Sequence, residues 1–309
     1  MDRVVSPAVS PAWAPGAVPL AADDGQAARR RRELVQRAAQ RSLWRRRLAG
    51  RTGMLACLVA LLVGLAPLVA ELGYTVARGV GGLSLGFFLH APTPPGIPGG
   101  GISTAITGTA QIVGLALAIS VPIGLFTALF LYERRGRLAG VLRFSADVLT
   151  GVPSIVIGIF AYELVVRGLH HFSDLAASFA IAVLMVPIMI RADEEAMRTV
   201  PVDLWEAGVA LGAPRSRVAR SVVLRGALPG LVAGNLLAVA RGVGETAPLL
   251  FTVAAPTAAM TLLIFSEGTQ ALPAAQQTAW ATAFVLLAFV LVLSVASRAV
   301  AWGLTRKAR

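Results

Sequence analysis

An all-α polytopic membrane protein with six transmembrane helices is the fold class this sequence predicts, and three observations predict it. Hydrophobic residues fill 56% of 309 positions and charged residues 14%, too few charges for a soluble chain of this size. Six apolar segments are long enough to cross a hydrocarbon core of about 30 Å, which takes about 20 helical residues. The 28 basic residues collect in short segments beside those runs, as topology signals do.

Residues 1–28 are rich in Ala, Pro and Val without periodicity and read as a disordered tail. Residues 29–53 form an Arg-rich cytoplasmic segment, with ten arginines between 29 and 51. This is no secretory signal: the apolar run begins only near Met54, is long enough to span, and lacks a cleavage site. The transmembrane domain, 54–305, holds the expected spans Met54–Tyr74, Ile106–Tyr132, Leu142–Val166, Leu175–Met197, Gly230–Val253 and Thr278–Trp302.

Arg134, Arg135, Arg137 and Arg143 follow the second span, and Arg215, Arg217, Arg220 and Arg225 follow the fourth. The opposite loops hold Arg78 and Arg167, so the positive-inside rule puts both termini in the cytoplasm. Pro122, Pro153 and Pro187 are expected to interrupt spans two, three and four. Asp147 and the string Gly151-Val152-Pro153-Ser154 read as a bent helix facing the bundle interior or as a packing kink.

Several function classes are excluded or disfavoured. Lys307 is the one lysine and Ala308 follows it, so a phosphate-binding P-loop cannot be written in this chain. ATP-driven work therefore requires another polypeptide. Cys57 stands alone, which rules out a cysteine metal site. His170 and His171 are adjacent but lack a carboxylate-rich neighbourhood, so they read as interfacial polar residues and no metal is expected. The net charge of +12 reads as headgroup anchoring, not nucleic-acid binding. An intramembrane enzyme needs a nucleophile or a metal. HExxH is absent, and the single GxSxG, Gly82 to Gly86, lacks the strand-turn-helix context of a nucleophile elbow. No catalytic residue or cofactor is expected.

Arg241 and Glu245 lie four residues apart in the fifth apolar run, Arg241 about eleven residues from Gly230. That is about 16 Å along a helix and near the bilayer middle. An ionised Arg at a helix centre in lipid costs about 2.5–3.5 kcal/mol on insertion scales. Charges kept there mark either a path for a charged solute or a structural ion pair that fixes packing.

The loop 198–229 is much longer than the preceding basic loop. Within it, Val202–Ala213 (VDLWEAGVALGA) predicts a short helix, Leu204–Leu211, outside the membrane. Asp203 is the expected N-cap, Glu206 gives a capping-box spacing, and Gly212 suits the position past the C-terminus. Leu204, Trp205 and Leu211 supply an apolar surface for a partner groove.

Glu206-Ala207-Gly208, Gly212, Val222 and Leu224 resemble the EAA---G---------I-LP loop of ABC importer permeases, with Val222 ten positions after Gly212. Gly208 and Arg225 depart from the usual Ala and Pro. The strings GVPSIVIG (151–158), PIMIRADEE (187–195) and ARGVGETAPLL (240–250) extend the likeness over about residues 100–305, toward the PstA family of phosphate-importer permeases. The resemblance implies a type I importer bundle with a cytoplasmic coupling helix carrying Asp203, Leu204, Glu206, Ala207 and Gly212. It also implies a second permease subunit, an ATPase dimer and an extracytoplasmic phosphate-binding protein. It assigns Arg241, Glu245, Arg191 and Glu194 to the substrate path or its gating, although Arg191 also lies close enough to the surface to snorkel. The balanced Arg241–Glu245 pair fits a gate better than a tight anion site. The competing readings are a permease for another oxyanion, such as molybdate or sulfate, and a membrane receptor or scaffold.

Overall fold

A long helix opens the fold. The computed structural model describes residues 24–94, 97 and 99–307, without the side chains of 24–28, 35–45 and 304–307. Among the described residues all regular structure is helical. The N-terminal tail up to residue 23 lies outside them. Helix α1, Asp24–Gly79, joins the end of that stretch, the Arg-rich segment and the first apolar run into one helix of 56 residues. No proline stands between the basic and apolar parts to stop it.

Among the described residues, those up to Ala70 and those from Glu71 onward form two separate compact units. In the first, Leu55, Leu58, Leu61 and Leu62 are exposed, as suits a helix solvated by lipid. The second unit contains the other helices. After a turn at Val80–Gly82 and a short helix at Leu85–Leu89, α2 spans Ser103–Glu133. Helix α3 spans Arg137–Gly151 and α4 Ser154–Leu169. Helix α5 spans Asp174–Arg198 and α6 Val202–Ala210. Helix α7 runs Arg215–Val243, through a π turn at Ala219–Val223. Helices α8 (Leu249–Thr252), α9 (Met260–Gly268) and α10 (Pro273–Lys307) complete the chain.

Among the described residues five helices are long and apolar enough to cross a membrane, and the bent pair α3–α4 makes a sixth if it is one span. The expected third span, Leu142–Val166, is therefore not one straight helix. Its two arms meet at 103°. Pro153 offers no N–H to continue the ladder, and Val152, the residue before it, is extended at ψ 130°. Pro122 and Pro187 act differently from expectation: α2 and α5 stay helical through them.

The expected fifth span, Gly230–Val253, is also revised. Helix α7 starts earlier, at Arg215, and stops at Val243 with Gly244 as its cap. Pro248 could not have donated to the Gly244 carbonyl had the helix continued. The chain resumes as two short helices, α8 within the expected span and α9 beyond it, where no span was expected.

The core of the second unit centres on α5. Ile112 and Ala116 of α2, Ile181 and Met185 of α5, and Ala238 and Val243 of α7 share one buried cluster. Helix α9 packs its Met260 and Leu263 near Ala281 of α10. Small residues line the α5–α7 seam. A Cβ on Gly230 would lie 2.8 Å from that of Ala196, one on Gly234 2.6 Å from that of Ala192, and one on Gly242 2.9 Å from Met185 Sδ. Such residues let backbones approach where lipid removes the hydrophobic drive between helices. Gly234→Leu should overpack this seam and cost about 1–3 kcal/mol. The expected readout is a lower thermal midpoint of the purified chain in detergent, whereas Gly64→Ala, with open space around it, should lower it by nothing measurable.

Candidate functional site

The C-terminal end of α7 places the first pair. Arg241 sits in the last turn of the helix and Glu245 lies just beyond the Gly244 cap. Arg241 Nε is 3.6 Å from Glu245 Oε1, an ion pair longer than a hydrogen bond. The Arg241 side chain is 56% exposed and that of Glu245 16%. The two are thus not one helical turn apart on a continuous helix, as the spacing implied. Thr261 Oγ1 donates to the Glu245 carbonyl at 3.2 Å, tying the broken strand of chain to α9.

Two features ease the energetic anomaly of Arg241. A cation in the last turn meets the negative end of the helix dipole, and the unwound carbonyls that follow are polar neighbours. The next residue, Gly242, packs against Ile181 and Met185, near the middle of α5. Three helix breakers within seven residues, Gly242, Gly244 and Pro248, were the sequence signal for this break.

Arg191 and Glu194 do not form an isolated pair. The Glu194 side chain is 4% exposed and accepts from Arg143 Nε at 2.9 Å and Arg198 Nη2 at 2.8 Å. Its contact with Arg191 Nη1, at 3.9 Å, is the longest of these. Arg191 instead pairs with Asp147 of α3 and donates to the Arg143 carbonyl at 3.3 Å. Arg143 Nη2 also donates to the Leu131 carbonyl at 2.7 Å, at the end of α2. The cluster joins α2, α3 and α5. Arg143, Asp147 and Arg198 join the expected site residues here. Their signal was charge at helical spacing, Arg143 with Asp147 and Glu194 with Arg198, each four apart.

A second buried polar contact crosses the α5–α7 seam. Asn235 Nδ2 donates to Asp193 Oδ1 at 2.7 Å and to the Leu231 carbonyl at 2.8 Å. Asp193 is 0% exposed.

Helix α6 begins at Val202, two residues earlier than the expected Leu204. Pro201 is the N-cap residue, with no side-chain bond, so Asp203 lies inside the first turn and the capping box does not form. Asp203 still faces the positive end of the helix. The other end follows expectation. Gly212 has φ 81°, its N–H donates to the Val209 carbonyl at 2.9 Å, and Ala213 N–H donates to the Gly208 carbonyl at 3.3 Å. That is the Schellman arrangement. Gly208 has a packing reason: a Cβ there would lie 2.9 Å from Val218 Cγ1. Trp205 is half-buried, its ring 5.8 Å from that of Tyr132. Glu206 and Ala207 are exposed, and Val202, Leu204 and Leu211 present large apolar surface to the outside.

His170 takes a left-handed turn at φ 60° that closes α4. Ser84 of the GxSxG string accepts from Phe87 N at 3.1 Å as a helix cap.

Residues 120–306 match the family model described as binding-protein-dependent transport system inner membrane component. The chain belongs to that family. A relative in Yersinia pestis, phosphate transport system permease protein PstA, is 36% identical over 279 residues, which is 86% of this chain and 94% of that protein. Phosphate transport system permease protein PstA 1 of Mycobacterium tuberculosis is 35% identical over 281 residues, 86% of this chain and 91% of that protein. A solved structure of the inward-facing MetNI methionine ABC transporter matches with TM-score 0.56 at 19% identity, over 66% of this chain and 94% of the matched one. That likeness shows a shared permease fold.

The buried carboxylate of Glu194 leads to a stability prediction. Glu194→Gln removes charge-assisted bonds to Arg143 and Arg198, worth about 1.5–3 kcal/mol together with the cost of leaving the arginines unpaired. Arg191→Gln, at a half-exposed position, should cost under about 1 kcal/mol. Thermal midpoints of both variants in detergent check the ranking.

Proposed function

We propose that this chain is the membrane-spanning permease subunit of an ATP-driven phosphate importer, forming half of the translocation path. The observation that carries the reading is 33–36% identity over most of the chain to proteins named as phosphate transport permeases. The partners are a second permease subunit, a dimer of ATPase subunits and an extracytoplasmic phosphate-binding protein. The protein crosses the cytoplasmic membrane several times with both termini inside, as the arginine distribution supports.

The geometry suits this division of labour. Phosphate carries one or two negative charges at neutral pH and needs a polar way through hydrocarbon. Arg241 lies at a helix break half-way along the bundle, largely uncovered by its own subunit and only loosely held by Glu245. A guanidinium so placed can offer its donor fork to a passing phosphate oxygen, while Glu245 lowers the net charge and prevents tight retention. The pair therefore acts as a gate. Arg191 and Glu194 serve the path indirectly, by holding α3 against α5 beside it.

Helix α6 is the coupling element. Its exposed Leu204 and Leu211 enter a cleft on the ATPase, with Glu206 at the rim and Gly212 fixing the exit of the chain. Movement of the ATPase is passed to α7 through the contact of Gly208 with Val218.

Two experiments on the assembled complex test the reading. Arg241→Ala should cut ATP-dependent phosphate uptake about ten-fold or more, the loss of one charge-assisted contact, with subunit assembly unchanged; normal uptake would remove the gate. Glu206→Lys should abolish uptake and weaken co-purification of the ATPase, and intact uptake would sink the coupling role. Competition by phosphate, and not by sulfate or molybdate, is the expected selectivity in the wild-type complex.

A further inference from the structure

A cleft of about 630 Å³ opens where α2 ends, beside α6 and the start of α7. Arg134, Arg135, Arg143, Arg198 and Arg215 line it, with Glu133 as the acidic member of the wall. Arg143 and Arg198 already share Glu194 beneath. Among the described residues Arg134, Arg135 and Arg215 make no ion pair. The remaining wall is apolar or aromatic, including Tyr132 and Trp205.

We infer that this cleft binds a phosphoryl anion, either free orthophosphate or the phosphate of an anionic lipid headgroup. Unpaired guanidinium groups from two separate segments surround one concavity, and low-dielectric walls focus their field. Five arginines against the carboxylates of Glu133 and Glu194 leave an excess of positive charge in the cleft. A tetrahedral phosphoryl group, diester or orthophosphate, presents non-bridging oxygens in the geometry that guanidinium forks match. The cleft stands at the end of a membrane-spanning helix, where a headgroup and a solute are both within reach. An occupant there bridges the Arg134–Arg135 turn, α6 through Trp205, and Arg215 of α7, so it would restrain the coupling helix. Only the cytoplasmic placement of the cleft rests on the proposed function; binding itself does not.

The test uses the full chain in nanodiscs. One arm measures binding of radiolabelled orthophosphate in discs of phosphatidylcholine alone. The other counts phosphatidylglycerol molecules retained by the chain, by native mass spectrometry from mixed discs. The wild-type chain should bind one of the two probes at a defined stoichiometry. The triple variant Arg134→Gln, Arg135→Gln, Arg215→Gln should bind it about ten-fold or more weakly, having lost several charge-assisted contacts. Arg217→Gln, Arg220→Gln, Arg225→Gln removes equal charge outside the cleft lining and should bind as the wild type does. Arg241→Ala should also retain binding, which separates this site from the path. If the triple variant does not fold, Arg215→Gln alone should weaken binding about ten-fold, as loss of one such contact. Orthophosphate binding assigns a solute site, and retention of phosphatidylglycerol alone assigns a lipid site. Binding of neither probe, undiminished binding by the cleft variant, or equal loss in both triple variants overturns the inference, whatever the transport result for Arg241→Ala.

Discussion

Helices in lipid gain little by hiding leucine from their surroundings, so α5 and α7 are held by what their small residues permit. Gly230, Gly234 and Gly242 each face a side chain of α5 at a distance that leaves no room for a Cβ. Close backbone approach strengthens dispersion contacts and brings polar groups into range. The Asn235–Asp193 bond crosses the same seam. Because Gly242 is seated between Ile181 and Met185, the end of α7 is fixed at the middle of α5. The exposed Arg241 inherits its depth from that contact. Without the seam, the break after Val243 would have no defined level in the bundle.

The charged groups divide by burial into two kinds. Glu194 is enclosed and shared by Arg143 and Arg198, which makes it a fastening between α3 and α5. A buried carboxylate satisfied this way is costly to disturb and poorly suited to binding a moving anion. Arg241 is the opposite: accessible, loosely paired, and placed where the helix ends. Sequence spacing gave both pairs the same appearance, four or three residues apart on an apolar background. Only the positions of α3 and α9 separate the enclosed carboxylate from the open ion pair.

Helix α6 shows how far local chemistry reaches. Gly212 reads directly from sequence because a left-handed residue must follow the helix and glycine bears it without strain. Asp203 misleads because Pro201, two residues earlier, already sets the φ that starts the helix. Gly208 could not be interpreted from sequence at all, since its reason is Val218 on the next helix.

The sequence by itself determined that the chain is helical, crosses a membrane several times, carries no P-loop and keeps an EAA-like loop with its glycine exit. These follow from runs of about 20 apolar residues, residue inventory and local backbone preference, all of which are short-range. The tertiary structure decided that α3 and α4 meet at 103°, that α7 stops at Gly244, and that Glu194 belongs to Arg143 and Arg198 more than to Arg191. Those outcomes depend on which distant side chain fills the space beside each break. Proline and glycine mark where a helix can stop, but packing against other helices decides whether it does, as the unbroken passage through Pro122 and Pro187 shows.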